Sequence, residues 1–144
     1  LLRGSYVNDP YVVAQNDNMV SINTAISVDL TGQVCSEAIG TRHYSGTGGQ
    51  LDTHRGASMA KNGTGIIALR STAKKGTVST IVPLLPLGSP VTVPRQDTDY
   101  VVTEFGIARL KGLNVFQRVE SLLNISHPDF RSELRKQASE VGLI

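Results

Sequence analysis

Tyr44-Ser45-Gly46-Thr47-Gly48-Gly49-Gln50-Leu51-Asp52 is the stretch on which the reading of this chain turns. Three glycines in four residues separate segments that read as ordered on either side. Glycine has no Cβ, so it accepts positive φ and lets another molecule approach the backbone closely. Consecutive exposed amides in such a loop can hold an anion or a developing negative oxygen. A plain surface turn uses the same residues. The glycines by themselves leave both readings open.

Upstream of the loop, Asn8-Asp9-Pro10 reads as a helix start, with Asn8 or Asp9 as cap and Pro10 at the first helical position. Tyr11 to Gln15 would form the short helix, stopping near Asn16-Asp17-Asn18. Residues 19 to 30 alternate, with Val20, Ile22, Ile26, Val28 and Leu30 on one face and Ser21, Asn23, Ser27 and Asp29 on the other. That is the period of a half-buried strand. Thr31-Gly32-Gln33 reads as a turn and Val34 to Ile39 as a shorter strand.

The loop itself belongs to a region, Gly40 to Gly65, that is rich in Gly, Ser, Thr and Asn. It is too long for a simple connection, and long loops in compact domains are often functional. A short helical turn fits Leu51 to Ala60. Downstream, Gly65-Ile66-Ile67-Ala68-Leu69 is a continuous apolar run suited to a buried strand. Thr77 to Val82, Pro90 to Val93 and Tyr100 to Thr103 are further β-rich runs, the last ending at Glu104 and Gly106. Prolines 83, 86, 90 and 94 punctuate them. Asn114 is placed to cap a helix carrying Val115, Val119, Leu122 and Leu123 on one face. Ser126-His127-Pro128 starts a second helix, with Asp129 in its first turn and Gly142 at its end. The expectation is an α/β domain with an open mixed β-sheet flanked by helices.

The chain has 144 residues, enough for one domain with a real core. Hydrophobic content of 40% and charged content of 18% argue against disorder. A net charge of +2, no basic stripe and 5% aromatic residues give no nucleic-acid surface. The single cysteine, Cys35, permits no intrachain disulfide, which fits a reducing compartment such as the cytoplasm. It reads as a small buried hydrophobe. No apolar run is long enough to span a membrane. The start, Leu1-Leu2-Arg3-Gly4, has neither an initiator methionine nor a signal-peptide layout, as expected of a piece of a longer protein.

Five blocks of the chain act together: Asn23 to Val34; Tyr44 to Asp52; Ser71 to Gly76 with Ile81-Val82-Pro83; Val101 to Ala108; and Asn124 to Arg131. In this order they resemble the C-terminal half of the acetyl-CoA hydrolase/transferase family. Within it they look most like the 4-hydroxybutyrate and butyrate:acetate CoA-transferases. The resemblance runs from Asn8 to about Arg131. It implies the C-terminal domain of a NagB/RpiA/CoA-transferase-like fold, a fragment (residues 1–144) of a two-domain enzyme. It also implies coenzyme A or acyl-CoA as substrate with a short-chain carboxylate, no metal, an N-terminal domain as partner, and a homo-oligomer when complete.

In that family a glutamate carboxylate attacks the acyl-CoA thioester, giving a mixed anhydride and then a glutamyl-CoA thioester that a second carboxylate resolves. A carboxylate suits the role because its covalent intermediates remain activated. The resemblance puts that glutamate upstream of this chain, so the chain alone is expected not to catalyse transfer. Glu120, Glu133 and Glu140 read as solvated helix charges. Glu37 falls in no nucleophile motif. Glu104, at a strand end, is implied to be a CoA-site or structural residue.

The glycine loop matches the family's Gly-x-Gly-Gly segment at Gly46, Gly48 and Gly49. The Gly49 amide is implied to form part of the oxyanion hole. Gln50 and Asp52 are placed to fix the loop, Asp52 equally as a plain cap. Asn8 matches an asparagine near the CoA pantetheine, and Lys74 a lysine near the CoA. The doubled Lys74-Lys75 departs from the family pattern and leaves open which lysine faces the ligand.

His43 and His54, eleven apart in a loop, and His127 at a helix start make neither a zinc nor a triad spacing. Arg42, Arg55, Arg70, Arg95 and Arg109 read as mostly solvated. Three readings remain: half of a CoA-transferase or acetyl-CoA hydrolase, a non-catalytic CoA- or nucleotide-binding module, and an interaction domain whose glycine loop is only a turn.

Overall fold

A computed structural model describes residues 1–144. Helix α1 is Gly4–Val7 and α2 is Pro10–Ala14. Asp9, not Asn8, caps α2, accepting the Tyr11 N–H at 2.8 Å with Pro10 at the first position. Strand β1 is Val20–Thr24 and β2 is Ser27–Asp29. Strands β3 (Val34–Cys35), β4 (Ala38–Ile39) and β5 (Arg42–His43) follow, then the ten-residue helix α3, Gln50–Met59. Next come β6 (Thr64–Ala68), β7 (Thr72–Ala73), a 3₁₀ turn (Lys74–Gly76), β8 (Val78–Ser79) and β9 (Ile81–Val82). Strands β10 (Tyr100–Thr103) and β11 (Gly106–Arg109) precede helices α4 (Val115–Ile125) and α5 (Pro128–Glu140).

The main sheet has the order β1-β6-β10-β11. Strands β1, β6 and β10 are parallel and β11 returns antiparallel, so the expected open mixed sheet is present. A second sheet, β3-β2-β9, stacks its side chains into the same core, while β4–β5 and β7–β8 are small hairpins. The core is one cluster of 16 residues. It runs from Val28, Leu30 and Val34 through Ile67 and Val101 to Val119, Leu122 and Leu123 on α4 and Leu134 and Ala138 on α5.

Several expectations shift. Residues 19–30 are not one strand: the chain breaks at Ala25-Ile26 and passes from one sheet to another. In β1 the buried residue is Ser21, while Val20 and Ile22 are exposed by 52% and 67%. Helix α3 covers the Ser21 face, and Ser21 donates to Thr53 Oγ1 at 3.1 Å. Thr77–Val82 is likewise two strands in two sheets, and Pro90–Val93 contributes only an isolated bridge between Val93 and Val34. Gly106, expected to end the structure of β10, opens β11 instead at φ +143°.

The C-terminal helices follow the sequence closely. Asn114 and Gln117 form a reciprocal capping box on α4. Val119, Leu122 and Leu123 point into the core, whereas Val115 is partly exposed. His127 accepts the Asp129 N–H at the start of α5, and Gly142, at φ +73°, follows its end.

Candidate functional site at the strand ends

Strands β1, β6 and β10 end side by side at Thr24, Ala68 and Thr103. Ligands of open α/β sheets bind outside the carboxyl ends of parallel strands. A cleft of about 380 Å³ lies there, lined by Thr24, Ala68, Arg70, Val102 and Glu104 among others. Glu104 is fixed in it. Its Oε2 accepts the Ser71 N–H at 2.9 Å and its Oε1 accepts the Ser71 hydroxyl at 2.8 Å. The Ser71 amide, helped by the Ser71 hydroxyl and the Arg70 charge, holds the carboxyl below the usual glutamate range. Glu104 is therefore an oriented anion with acceptor sites left for another donor.

A second cleft of about 340 Å³ adjoins the first through Arg70 and is walled by Thr72, Ala73, Lys74, Lys75 and Gly76. The β7–β8 hairpin carries this turn, and Thr77 Oγ1 donates to the Lys74 carbonyl at 2.9 Å. Lys74 and Lys75 both take left-handed backbone, φ +47° and +59°, which non-glycine residues adopt only when the surroundings hold them there. Both line the same cleft, so the doubled lysine supplies two cations to one wall.

The glycine loop stands at the end of β1. Gly48 has φ +54°, a conformation that favours glycine. Gly49 is the N-cap position of α3, so the unpaired amides of a ten-residue helix begin at it. A Cβ on Gly49 would lie 2.7 Å from Asn8 Nδ2. Asn8 and Gly49, 41 positions apart in sequence, are thus in direct contact. Gln50 Nε2 donates to the Thr24 carbonyl at 3.2 Å and ties the loop to the strand end. Asp52 lies in the first turn of α3 and is not its cap. Gly46 stands clear, with open space where a Cβ would be. The fold therefore groups Asn8, Gly49 and Gln50 beside Thr24, and groups Glu104 and Lys74 on either side of Arg70, with Thr24 belonging to both neighbourhoods.

Helix α3 buries only His54, Gly56 and Ala57, so polar bonds hold it in place. Thr53 Oγ1 lies 3.1 Å from the Gly49 carbonyl and accepts from Ser21 and Asn23. Arg55 makes a two-pronged pair with Asp97 at 2.9 and 2.8 Å, and that bond raises its pKa. His54 is fully buried rather than in a loop, with its ring packed on Gly65. Its Nε2 accepts the Asp99 N–H at 3.3 Å, which assigns the proton of the neutral ring to Nδ1. Burial lowers its pKa, against the pull of Asp97 and Asp99.

Arg70, read as solvated, is exposed and lines both clefts, while Ser71, given no role from the sequence, holds Glu104. Their signal was position: they follow the continuous apolar run of β6 at the carboxyl end of a parallel strand. Arg118 was also missed. Buried on α4, it donates to the carbonyls of Arg95 at 2.7 Å, Thr31 at 3.1 Å and Leu113 at 3.2 Å. Glu120, expected to be solvated, accepts two bonds from Arg135.

Parallel strands ending at an anchored carboxylate, with arginine and lysines along one side and a glycine-capped helix on the other, define an α/β domain with a strand-end cleft. The chain belongs to the acetyl-CoA hydrolase/transferase family: the model of that family's C-terminal domain matches residues 1–138. It is 55% identical over 132 residues to the 4-hydroxybutyrate coenzyme A transferase of Clostridium kluyveri, covering 92% of this chain and 31% of that protein. It is 46% identical over 142 residues to the butyryl-CoA:acetate CoA-transferase of Anaerostipes caccae, covering 96% and 32%. The crystal structure of RipA from Yersinia pestis superimposes with a TM-score of 0.90 at 52% identity, covering 96% of this chain and 31% of that one. The chain thus spans about three-tenths of the length of the proteins it matches.

Proposed function

We propose that this chain is the C-terminal domain of an acyl-CoA:carboxylate CoA-transferase of the 4-hydroxybutyrate or butyrate/acetate type. It contributes the oxyanion-stabilising loop and the CoA contacts, while the nucleophilic glutamate comes from the upstream part of the longer protein. The observation that carries this reading is the contact between Asn8 and Gly49 at the start of α3, beside the Glu104 cleft. It sets the Asn8 side-chain amide against Gly49, the residue that opens α3, which supports a site where a thioester carbonyl would meet donors fixed in advance.

In this reading the acyl thioester lies against Gly49 and Asn8, and the Gly49 N–H takes the negative charge of the tetrahedral steps. Gln50 keeps the loop against Thr24. The CoA phosphates run along Arg70, Lys74 and Lys75, where lysine acts as a point charge. Glu104, already ionised and oriented, accepts from a donor of the ligand or of the upstream domain. Acetyl-CoA hydrolysis is the second outcome such a site supports, since water and a carboxylate resolve the same intermediate. The high identity to two named transferases favours transfer.

Calorimetric titration of the longer protein with coenzyme A, beside Arg70→Ala and Lys74→Ala variants, tests the assignment. We expect each variant to bind coenzyme A about tenfold more weakly, the loss of one charged contact. We expect the Lys74→Ala deficit to shrink when a CoA analogue lacking one phosphate replaces the natural ligand. Unchanged affinity in both variants would remove this strip from the CoA site.

A further inference from the structure

The four-stranded sheet has two unlike faces. Residues paired across it share a face, and the register puts Ser21 beside Gly65, and Ile67 beside Val101, which is beside Ala108, all buried beneath α3 and α4. The other face carries Val20, Ile22, Ile66, Ala68, Val102 and Ile107, with Thr24 and Thr64 among them and Tyr100 and Arg109 stacked at its far end. In it Ile22 stands beside Ile66, and Ala68 beside Val102, which is beside Ile107. Val20, Ile22 and Ile107 are exposed by 52%, 67% and 68%. The helices of the chain lie on the opposite side, so a mostly parallel sheet is left open on a largely apolar face. Parallel sheets are as a rule covered on both faces, and by helices.

Two further facts say what covers it. The chain spans 31% of its C. kluyveri relative, and its match is to the family's C-terminal domain, so the larger remaining part lies upstream. The open face also runs straight into the candidate site: Thr24, Ala68 and Val102 form its last row and also line the Glu104 cleft.

We propose that the upstream part of the longer protein seats an apolar helical layer on this open face, and that the end of that layer roofs the Glu104 cleft. This rests on the reading of the chain as a C-terminal domain. It deepens that reading by assigning the surface on which the two parts of the enzyme meet. One layer then does two things: it removes Ile22 and Ile107 from water and brings upstream side chains within reach of Glu104 and Arg70.

Thiol labelling of the longer protein tests this. Cys35 is buried, so it gives a low background. Ile22→Cys and Ile107→Cys report on the open face, and Lys136→Cys, on the solvated side of α5, reports on free solvent. We expect maleimide to modify both face variants at least about tenfold more slowly than Lys136→Cys, as for groups reached only by opening. Labelling of both face variants at a rate close to that of Lys136→Cys would overturn the proposal. So would protection that disappears on dilution to a concentration where light scattering reports a monomer, because a second copy would then be the cover. The same samples are titrated with coenzyme A. Protection without CoA binding leaves the docking surface standing and defeats the transferase reading; CoA binding without protection does the reverse.

Discussion

At Gly49 the chain has no room for a side chain unless Asn8 gives way. Its φ of −100° is open to any residue, so only the neighbour forbids a Cβ. Gly49→Ala is therefore expected to cost only about 1 kcal/mol of stability, the scale of an unfavourable N-cap. Displacing Asn8 by about 1 Å is expected to lower transfer by the longer protein on the order of 10²-fold. Asn8→Ala restores the space, so in a double-mutant cycle the Gly49→Ala penalty should be smaller in the Asn8→Ala background. Strictly additive losses would show that the two residues do not act together.

His54 makes a second prediction at this scale. Its ring is buried neutral with Nε2 accepting the Asp99 amide, so protonation would set two N–H groups against each other. A histidine whose pKa is lowered by folding binds fewer protons folded than unfolded below its ordinary value of 6.5. Its contribution is thus whole above pH 6.5 and lost as the pH falls through and below that value. Acidification from pH 7.5 to 5.5 should lower stability progressively in denaturant titrations. His54→Gln should flatten that slope. Glu104, also lowered, acts in the same direction but in a window below its ordinary 4.5, so the two steps separate on the pH axis.

Among the elements, α4 is fastened to three loop carbonyls by a single side chain, Arg118. Arg118 reaches three carbonyls from separate loops and has no carboxylate partner, and burial lowers its pKa. Arg118→Ala is expected to destabilise by about 3 kcal/mol because it leaves buried carbonyls without donors. Arg118→Lys should recover only part, since one ammonium cannot reproduce the guanidinium fork. Thermal denaturation of the three proteins checks the order.

How much of these elements the sequence revealed depended on local chemistry. The cap at Asn114, the Pro10 and Pro128 helix starts and the apolar run of β6 carry their own signals and stand where they were read, although Ile66 and Ala68 in β6 are only half-buried. Residues 19–30 misled because alternation reports two faces without saying which is covered. Ser21 went inward because α3 offers Thr53 to it, and Val20 and Ile22 stayed outward because nothing in this chain covers them. The break at Ala25-Ile26 joins two sheets and has no turn residue to announce it. Arg118 gave no signal because its partners are backbone carbonyls distant in sequence. At the site, the resemblance led to Asn8, Gly49 and Lys74. The contact between Asn8 and Gly49, and the Ser71 grip on Glu104, are tertiary facts that no spacing encodes.

For the whole molecule, the one-sided sheet and the half-built site have one explanation in our reading: this chain is the C-terminal part of a CoA-transferase, with donors and cations but without the nucleophile. The most direct test incubates butyryl-CoA and isotopically labelled acetate with the longer protein and, in parallel, with residues 1–144 alone. We expect labelled acetyl-CoA and free butyrate from the longer protein, a large loss of that activity in Gly49→Ala, and none from residues 1–144. Transfer by residues 1–144 alone, or release of free coenzyme A by the longer protein without labelled acetyl-CoA, would contradict this reading.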